Sequence, residues 1–584
     1  MPHQPDTPDG LLAELRRRGL ARGGFLALAL APGRGLGIAE PAGDRWGLAT
    51  GEPAATVARL EEEFRPRWVW WSQQTPIELT RAGVRVATCW DLVAVHRLIF
   101  GGWHSEPALI WAALHDLDPA STPGTGQLDL FGDAGDEGTD PEEPVRPDQH
   151  LRPEWASGGW ARDPARLARW AQTALRASEL QRQRLDAAPA AGNVLATARS
   201  ESAAELLCAE LAVDGLPLDL DRAEEIIASF AGPRPRDAVD AALVRERRDS
   251  AVLRLLPDPD GIDLRNPAQV RAMLARVGID VPDTRSWRLE RFLGAHPVVE
   301  ALLAWRKAER IATTYGYDWL ARNVGPDARL RGAWSGSDGA AGRMTAQAGL
   351  HNLPADLRPA VAAAAGHVFV RADLGQIEPR VLAAVSGDRS LAKATQDDDL
   401  YAPVASQLGV ERPTAKVAML AAMYGQTSGT AGQALQGMES AYPVAMRYLR
   451  DAHDAGRAGR SVRTYGGRLV RMWPIPPGLD AEQERSAIAS RGRYARNAVV
   501  QGAAAELFKA WAVTVRARGL PWQARVVLCL HDELLVHAPA EHGPAVRQLV
   551  TDCLQEAAAG WAPDGSVRFV ADVSVIARWS EAKG

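Results

Sequence analysis

Two apolar strand candidates that each run directly into a carboxylate constrain the fold of this chain more than any other feature. Residues 368–372 predict a buried strand, and Asp373 lies between it and a helix candidate that begins near Gln376. Residues 526–530 and 534–536 predict the strands of a β-hairpin whose turn presents two carboxylates, Asp532 and Glu533. The sequence therefore predicts two aspartates at strand ends that come from separate segments of the chain.

Carboxylates in this arrangement indicate a cation site. Hard carboxylate oxygens suit Mg²⁺, and two such ions about 3.5–4 Å apart can bind the attacking and leaving oxygens of a phosphoryl transfer. Each segment also has an ordinary explanation. For Asp373 alone, an N-cap of the following helix is the more common one, and His531-Asp532-Glu533 alone is as often a polar hairpin turn.

A third segment, VERPTAKVAMLAAMYG, places four side chains on one face of a helix candidate. Arg412, Lys416, Leu420 and Tyr424 recur every four residues, and Pro413 fits the first helical turn. The face runs from two cations to an apolar and then an aromatic side chain, which matches a nucleoside triphosphate with its phosphates at the cationic end. A helix with a solvated basic start and a buried end explains the pattern equally well.

Two further segments carry long polar side chains. Arg343 follows a glycine turn, and Arg493, Asn497 and Gln501 share one face of another helix candidate. Side chains of this length are able to reach minor-groove acceptors of duplex DNA, which are similar for all base pairs. A solvated polar face is the usual alternative.

The rest of the chain predicts a mixed α/β protein with several domains. Its 584 residues suffice for three or four domains. Residues 1–117 alternate short apolar runs with helical patterns, whereas residues 201–324 are mainly helical. Residues 118–150 are rich in Pro, Gly, Asp and Glu and predict a disordered insertion, in which residues 127–131, QLDLF, form an unexpected apolar cluster.

Charge, cysteine content and hydropathy limit the class of protein. The net charge of −5 does not exclude a nucleic-acid partner, because basic residues gather locally in residues 485–496. The four cysteines lie far apart and predict reduced, buried thiols rather than a zinc site or disulfides. The apolar run at residues 25–31 is too short for a membrane span, so we expect a cytoplasmic protein.

Together and in this order, the segments resemble the family A DNA polymerases, the DNA polymerase I type. Asp373-Leu-Gly-Gln-Ile-Glu378-Pro-Arg380 resembles the first palm motif, Arg412-x3-Lys416-x7-Tyr424-Gly425 the fingers-helix motif, and His531-Asp532-Glu533 the second palm motif. Gly342-Arg343 with Leu350-His-Asn-Leu-Pro354 resembles the segment that precedes the first palm motif. The likeness extends from about Glu201 to the C-terminus.

The resemblance implies a right-hand polymerase, with thumb, palm and fingers, that adds dNTPs to a primer 3′-hydroxyl with two Mg²⁺ ions. It implies a catalytic group of Asp373, Asp532 and Glu533, with metal ligands Asp373, Leu374 and Asp532. It implies nucleotide binding by Gln376, Glu378, Arg412, Lys416, Leu420 and Tyr424, and primer–template binding by Arg343, Arg493, Asn497, Gln501 and His531. Glu378 would exclude a ribose 2′-hydroxyl. Leu420 replaces the usual aromatic residue, which predicts unusual handling of nucleotide analogues.

The family often carries a proofreading 3′–5′ exonuclease before the thumb. Here we expect an exonuclease-like, ribonuclease H-like α/β domain without its metal site, because the first strand lacks the Asp-x-Glu pair and Asp91 alone cannot bind two metals. The implied divisions are an exonuclease-like domain at 1–195 with the insertion at 118–150, thumb and start of palm at 196–330, palm with the first metal motif at 331–390, fingers at 391–470, and palm with the second metal motif at 471–584.

The favoured function is a DNA polymerase without proofreading that acts in repair or replication. A bifunctional exonuclease–polymerase and a non-catalytic DNA-binding scaffold are the alternatives; the missing Asp-x-Glu argues against the first and the intact aspartates against the second.

Gln127, Leu128, Leu130 and Phe131 resemble the bacterial sliding-clamp-binding motif. The expected partners are therefore primer–template DNA, dNTPs and a sliding clamp, with no membrane, for a monomer associated with the nucleoid.

Overall fold

The structure, a computed structural model, describes residues 7–119, 122, 142–190, 192–339, 341–425 and 430–582. The chain forms two compact units. The first comprises Met1–Asp214, Ala333–Thr345 and Val370–Val575, and the second comprises Gly215–Gly332, Ala346–Phe369 and Ile576–Gly584.

The first unit begins with a five-stranded mixed sheet. Its strands are β1 (Phe25–Ala31), β2 (Gly35–Ala39), β3 (Arg45–Ala49), β4 (Arg67–Trp70) and β5 (Thr88–Asp91), in the order β3-β2-β1-β4-β5. Strands β1 to β3 pair antiparallel, and β4 and β5 continue the sheet in parallel with β1. The accompanying helices are α1 (Pro8–Arg17), α2 (Pro53–Phe64), α3 (Gln74–Arg81), α4 (Leu92–Phe100), α5 (Pro107–Leu114), α6 (Pro153–Ala156), α7 (Pro164–Asp186) and α8 (Val194–Asp214). The mixed α/β prediction is confirmed.

Glycines in β2 and β3 allow helix α7 to lie directly on this sheet. A Cβ on Gly37 would lie 2.1 Å from the backbone of Leu167, and one on Gly47 would lie 2.0 Å from the carbonyl oxygen of Pro164. Any larger residue at these positions would push the helix away. The close approach explains why two small residues interrupt otherwise apolar strands.

Two local features of this region differ from the predictions. The sequence predicts a helix over Trp90–Phe100, but α4 starts at Leu92, because Thr88–Asp91 forms a strand and Asp91 is the N-cap, accepting a 2.9 Å hydrogen bond from the Ala94 amide. Residues 142–150 of the predicted insertion are ordered, and a backbone hydrogen bond ties Arg146 to His150, so the prediction of disorder is wrong for these residues.

The second unit is largely helical, as the sequence predicts for residues 201–324. Its elements up to Gly332 are β6 (Leu216–Pro217), α9 (Leu220–Ala231), α10 (Ala238–Leu253), α11 (Pro267–Arg276), α12 (Ser286–Leu289), α13 (Pro297–Thr314), α14 (Tyr317–Asn323) and β7 (Arg329–Leu330). Helices α10, α11 and α13 enclose a separate apolar core that includes Val252, Val270 and Trp305.

The remaining elements follow in chain order. They are β8 (Trp334–Asp338), β9 (Arg343–Ala346), β10 (His367–Leu374), α15 (Ile377–Ser386), α16 (Arg389–Ala394), α17 (Tyr401–Leu408), α18 (Arg412–Tyr424), α19 (Thr430–Ala441), α20 (Pro443–Arg457), β11 (Val462–Arg463), β12 (Leu469–Val470), α21 (Ala481–Gly519), β13 (Arg525–Leu530), β14 (Glu533–Pro539), α22 (Gly543–Trp561) and β15 (Ala571–Ile576). Short 3₁₀ helices occur at Gly159–Ala161, Glu290–Phe292, Leu350–Asn352, Ala355–Ala360, Leu520–Trp522, Ala540–His542 and Trp579–Glu581.

Helix α21 is the main support of the sheet that follows. It begins at the N-cap Asp480, whose carboxylate accepts hydrogen bonds from the Glu482 and Gln483 amides, and it runs for 39 residues between α20, α22 and α8. The strands β13-β14-β10-β15 form a four-stranded sheet. This order places the ends of β10 and the β13–β14 hairpin next to each other.

Buried ion pairs connect α8 to α21. Glu210 accepts hydrogen bonds from both Nε and Nη2 of Arg516, at 2.7 and 2.8 Å. Glu201 is paired with Arg468 and Lys509, and all three side chains are almost completely buried. Because removal of one partner would leave a charge buried without its counter-ion, these contacts hold α8 firmly against the later part of the first unit.

Candidate active site

The two predicted aspartates lie side by side at one end of the central strands of the four-stranded sheet. Asp373 is the penultimate residue of β10, and Asp532 lies in the two-residue turn between β13 and β14. The amide of Leu374 donates a 2.9 Å hydrogen bond to the Asp532 carbonyl oxygen, which fixes the two backbones together. His531 opens the turn with φ of 43°, in the left-handed region that favours glycine, so the turn holds a strained residue.

Asp373 is not the N-cap of the following helix. That place belongs to Gln376, which has φ of 54° and ψ of 47°. The ordinary explanation for Asp373 as an N-cap is therefore wrong. The hairpin prediction for the second segment is confirmed by β13 and β14.

The electrostatics of the pair favour a cation. Burial and the neighbouring charge of Asp532 raise the pKa of Asp373 to about 6, although the nearby Arg371 acts in the opposite direction. Burial also raises the pKa of Asp532. Two partly buried carboxylates that each disfavour the other's ionisation gain stability when a positive charge binds to them both.

Arg371 is a member of this site that the sequence motifs did not indicate. Its Nη2 donates a 2.6 Å hydrogen bond to Oδ2 of Asp373, and its Nε donates a 2.8 Å hydrogen bond to Oε1 of Glu533. Glu533 is consequently buried and turned toward Arg371. The alternation of side chains along β10 was the available signal, since residues i and i+2 of a strand share a face.

Glu378 forms a second group with residues from three other segments. Its Oε2 accepts a 2.7 Å hydrogen bond from the hydroxyl of Tyr424, and its Oε1 accepts a 3.1 Å hydrogen bond from Nη2 of Arg343. Burial and the bond to Glu378 raise the pKa of Tyr424 to about 12, and Gln501 bonds to the same hydroxyl. The structure thus brings four of the predicted site residues together.

The Glu378 group and the β13–β14 turn border one open cleft of about 340 Å³. Its lining comes from that turn and from α15, α17, α18 and α21, and it includes His531, Asp532, Gln376, Tyr401, Leu420 and Gln501. Asp373 lies beside Asp532 and is not part of the lining. Leu420 contributes a flat aliphatic wall rather than a ring. The volume is suited to a small ligand of the size of a nucleotide.

The cationic end of α18 is exposed but not free. Arg412 forms an ion pair with Asp399, and Nε2 of Gln376 donates a 2.9 Å hydrogen bond to the same carboxylate. The hydrogen bond from Arg412 lowers the pKa of Asp399. Lys416 is exposed one helical turn further on. Asp399, another residue that the motifs missed, therefore links two predicted nucleotide ligands.

The predicted face of α21 is present, but part of the basic cluster near it is structural. Arg493 is exposed, whereas Asn497 and Gln501 are half-buried. Arg491 is buried and donates hydrogen bonds to the carbonyl oxygens of residues 456, 457 and 473. Its inclusion in a basic surface was wrong, because the guanidinium caps backbone carbonyls in the interior.

The N-terminal sheet offers a different environment. Both oxygens of Asp91 are occupied, one by the Ala94 amide and the other by Nε1 of Trp70, at 2.9 Å each. Beside β1, the rings of Trp71 and Trp170 stack at 4.6 Å and border a cavity of about 120 Å³. Among the residues that the structure describes, no three His, Cys, Asp or Glu side chains form a group able to hold a metal ion.

Three other predictions have three different outcomes. All four cysteines are buried and unpaired by disulfides, as expected. In the part of the chain that the structure covers, no helix is both long and apolar enough to cross a membrane. The clamp-like residues Gln127, Leu128, Leu130 and Phe131 lie outside the described residues.

Comparisons with known proteins agree with this geometry. The chain is 28% identical over 377 residues to thermostable DNA polymerase I of Thermus filiformis, covering 58% of this chain and 44% of that protein. It is 31% identical over 299 residues to DNA polymerase I of Chloroflexus aurantiacus, covering 46% of this chain and 31% of that protein. The chain thus matches less than half the length of either relative.

A solved structure shares the fold over almost the entire chain. The POL domain of Pol1 from M. smegmatis, in complex with DNA primer-template and dNTP, superposes with a TM-score of 0.69, at 21% identity and with 99% of both chains covered. The sequence profile of DNA polymerase family A matches residues 262–581, more than half of the chain. On this evidence, the chain belongs to DNA polymerase family A.

Proposed function

We propose that the protein is a template-directed DNA polymerase that adds dNTPs to a primer 3′-hydroxyl. The observation that carries the proposal is the adjacent pair of partly buried carboxylates Asp373 and Asp532, of which Asp532 borders the nucleotide-sized cleft. The primer hydroxyl attacks the α-phosphate and pyrophosphate leaves, so no side chain has to act as a nucleophile.

The donor set fits Mg²⁺. Asp373 and Asp532, with the backbone at Leu374, would hold the ions, and Mg²⁺ commonly binds through one or two carboxylates and completes its coordination with water and substrate phosphates. Glu533, which is engaged by Arg371, would support the site rather than coordinate. When bound, two ions supply charge neutralisation at the attacking and leaving oxygens.

The nucleotide would lie along α18. Arg412 and Lys416 bind the triphosphate at the open end of the helix, and Arg412 exchanges Asp399 for phosphate as the nucleotide enters. Leu420 and Tyr424 border the sugar and the new base pair. Glu378, held by Tyr424 and Arg343, excludes a ribose 2′-hydroxyl, and Gln376 orients the loop that carries Asp399.

Primer and template would bind across the same cleft. Arg343, Arg493, Asn497 and Gln501 supply donors for minor-groove acceptors, and His531 approaches the primer terminus. In this scheme residues 196–330 form the thumb and start of the palm, residues 391–470 the fingers, and residues 331–390 and 471–584 the rest of the palm.

For the N-terminal region we propose an exonuclease-like domain, residues 1–195, that does not proofread. Its support is the absence of Asp-x-Glu from β1 and the use of both Asp91 oxygens in structural hydrogen bonds. A bifunctional exonuclease–polymerase is the alternative. We further propose that residues 127–131 bind a sliding clamp as an extended apolar peptide, which would raise the local concentration of the enzyme at primer ends.

Primer extension by the wild-type protein and the variants Asp373→Ala and Asp532→Ala tests the central proposal. A 5′-labelled primer on an undamaged template, with dNTPs and Mg²⁺, should be extended by the wild type, and both variants should lose nearly all incorporation. Arg518→Met, which breaks an exposed ion pair with Glu556, is a matched control that should extend normally. Equal extension by the wild type and either aspartate variant would disprove the proposal.

A further inference from the structure

Arg371 occupies a position on β10 from which one side chain reaches several carboxylates. It lies two residues before Asp373 and therefore points to the same face of the sheet. Only 7% of its surface is exposed. Neighbouring strands place Glu533 on one side of it, and Asp572 of β15 lies 3.9 Å from its Nη1 on the other.

The guanidinium divides its donors between Asp373 and Glu533. Nη2 donates to Oδ2 of Asp373 at 2.6 Å, and Nε donates to Oε1 of Glu533 at 2.8 Å. A planar guanidinium fixes the angle between two such partners, which a lysine ammonium cannot do. Oδ2 of Asp373 is consequently held by Arg371, which restrains the orientation of the carboxylate beside Asp532.

The same contact places a permanent positive charge next to the proposed cation site. A divalent ion that binds Asp373 and Asp532 must approach this charge, and repulsion at such short range in a partly buried site is substantial. Orientation and repulsion therefore act in opposite directions. The first promotes catalysis, and the second weakens the affinity for the ion.

We propose that Arg371 is a positioning residue that orients Asp373 for catalysis and that, in doing so, it lowers the affinity of the site for divalent cations. This inference rests on the proposed polymerase function. Arg371 does not line the nucleotide cleft, whereas Arg343, Glu378 and Tyr424 do. Its loss should therefore change kcat and cation binding while leaving the KM for dNTP unchanged.

Two substitutions separate charge from geometry. Arg371→Met removes both, and Arg371→Lys keeps the charge but loses the fork that spans two carboxylates. Mn²⁺ binding is measured by electron paramagnetic resonance on the protein bound to a primer–template with a 3′-dideoxy terminus, so that no chemistry takes place. Steady-state incorporation on a normal primer at varied dNTP concentration gives kcat and KM for the same variants, with Arg518→Met as the control.

For Arg371→Met we expect Mn²⁺ to bind about tenfold more tightly, because the repelling charge is gone. We expect kcat to fall roughly 10–100-fold, because the ligand is no longer oriented. Arg371→Lys should bind Mn²⁺ with the wild-type affinity and still show the reduced kcat. Thermal unfolding of both variants checks the fold, and the lysine variant, which retains the buried charge, tests the proposal even where the methionine variant does not fold.

Unchanged or weaker Mn²⁺ binding by Arg371→Met would overturn the proposal, as would wild-type kcat in Arg371→Lys. Failure of the polymerase assignment itself would give a different result. The wild type would then not extend primers, and the Asp373→Ala variant would bind Mn²⁺ as well as the wild type does. If only the role of Arg371 is wrong, the wild type is active and depends on Asp373, while both Arg371 variants match it.

Discussion

The hydroxyl of Tyr424 donates a 2.7 Å hydrogen bond to the carboxylate of Glu378, which lies 46 residues earlier in the chain. Tyr424 ends helix α18 and Glu378 lies in the first turn of α15, so this bond joins two helices at the cleft. Arg343 holds the other carboxylate oxygen. Glu378 is therefore fixed in place before any nucleotide binds.

A fixed carboxylate can act as a steric barrier, and its removal should weaken sugar selection. For Glu378→Ala we expect the ratio of kcat/KM for dNTP to kcat/KM for rNTP to fall roughly 10–100-fold, because the space for a 2′-hydroxyl opens. Tyr424→Phe removes the hydrogen bond to one oxygen of Glu378 but keeps the ring, the carboxylate and the bond from Arg343. This variant should shift the ratio less. Single-nucleotide incorporation with matched dNTP and rNTP gives both values, and an unchanged ratio in Glu378→Ala would contradict the assignment.

The ion pair between Arg412 and Asp399 predicts opposite effects at its two ends. Both side chains are partly exposed, so the pair is weak and a triphosphate can displace it. Arg412→Ala should raise the KM for dNTP about tenfold or more, since a phosphate contact is lost. Asp399→Asn should lower it, because Arg412 no longer has a competing anion. Steady-state incorporation at varied dNTP concentration measures both, and a raised KM in Asp399→Asn would contradict displacement.

The environment of Asp91 predicts that the N-terminal region does not trim DNA. A primer with a mismatched 3′ terminus, incubated with the purified protein and Mg²⁺ but without dNTPs, should keep its full length over hours. A parallel reaction with chelator in place of Mg²⁺ reveals contaminating nucleases that need no metal. Shortening that requires Mg²⁺ and persists in Asp373→Ala would establish a separate exonuclease site and favour the bifunctional alternative.

The apolar cluster at residues 127–131 predicts binding to a sliding clamp. The double variant Leu130→Ala with Phe131→Ala should lose most of its retention on immobilised bacterial clamp, because apolar anchors supply most of the binding energy of such peptides. Asp129→Ala, at the variable position of the motif, should be retained like the wild type. Unaltered retention of the double variant would refute clamp binding through this cluster.

His96 predicts a loss of stability in mild acid. Burial, followed by the charges of Arg471 and Arg97, lowers its pKa to about 4, against the opposing effect of a hydrogen bond with the His104 backbone. Below pH 6.5 the unfolded chain binds a proton that the native histidine does not, so stability falls as the pH drops from about 6.5 to 4. At pH 5 this amounts to about 2 kcal/mol.

The check compares the wild type with His96→Gln in urea at pH 7.5 and 5. Burial and the charge of Glu205 raise the pKa of nearby Asp91 to about 7. Protonation of this carboxyl therefore stabilises the native state over the same pH range, in the wild type and in the variant alike. For this reason the comparison uses the difference between the two proteins in their change of unfolding free energy. The wild type should lose about 2 kcal/mol more than the variant. An equal loss in both would show that His96 does not carry the effect.

Much of the site could be read from spacing alone. Strand ends, hairpins and helical faces are local patterns with fixed periods of two and 3.6 residues, so Asp373, Asp532 and the face from Arg412 to Tyr424 were found without any tertiary information. The start of α4 was predicted two residues early because Cys89 and Trp90 suit a strand and a helix equally well; Asp91, a residue type that favours N-caps, was the available signal.

Other features depended on contacts across large sequence distances. Arg371 meets Glu533 only because β10 and β14 are neighbours in the sheet, and Arg491 is buried only because α20 and α21 pack together. Side-chain alternation along β10 puts Arg371 on the same face as Asp373, but no sequence pattern marks either arginine as buried. The partner of Arg412, Asp399, is likewise set by how the loop before α17 folds.

Sequence alone determined which side chains are candidates for the chemistry and, for most of them, which local element each belongs to, because those properties follow from short-range backbone geometry and residue type. Tertiary structure alone decided which of these charged side chains are paired, with which partners and in which orientation. That decision rests on desolvation and on hydrogen bonds between distant segments, and both exist only when the sheet and helices have packed.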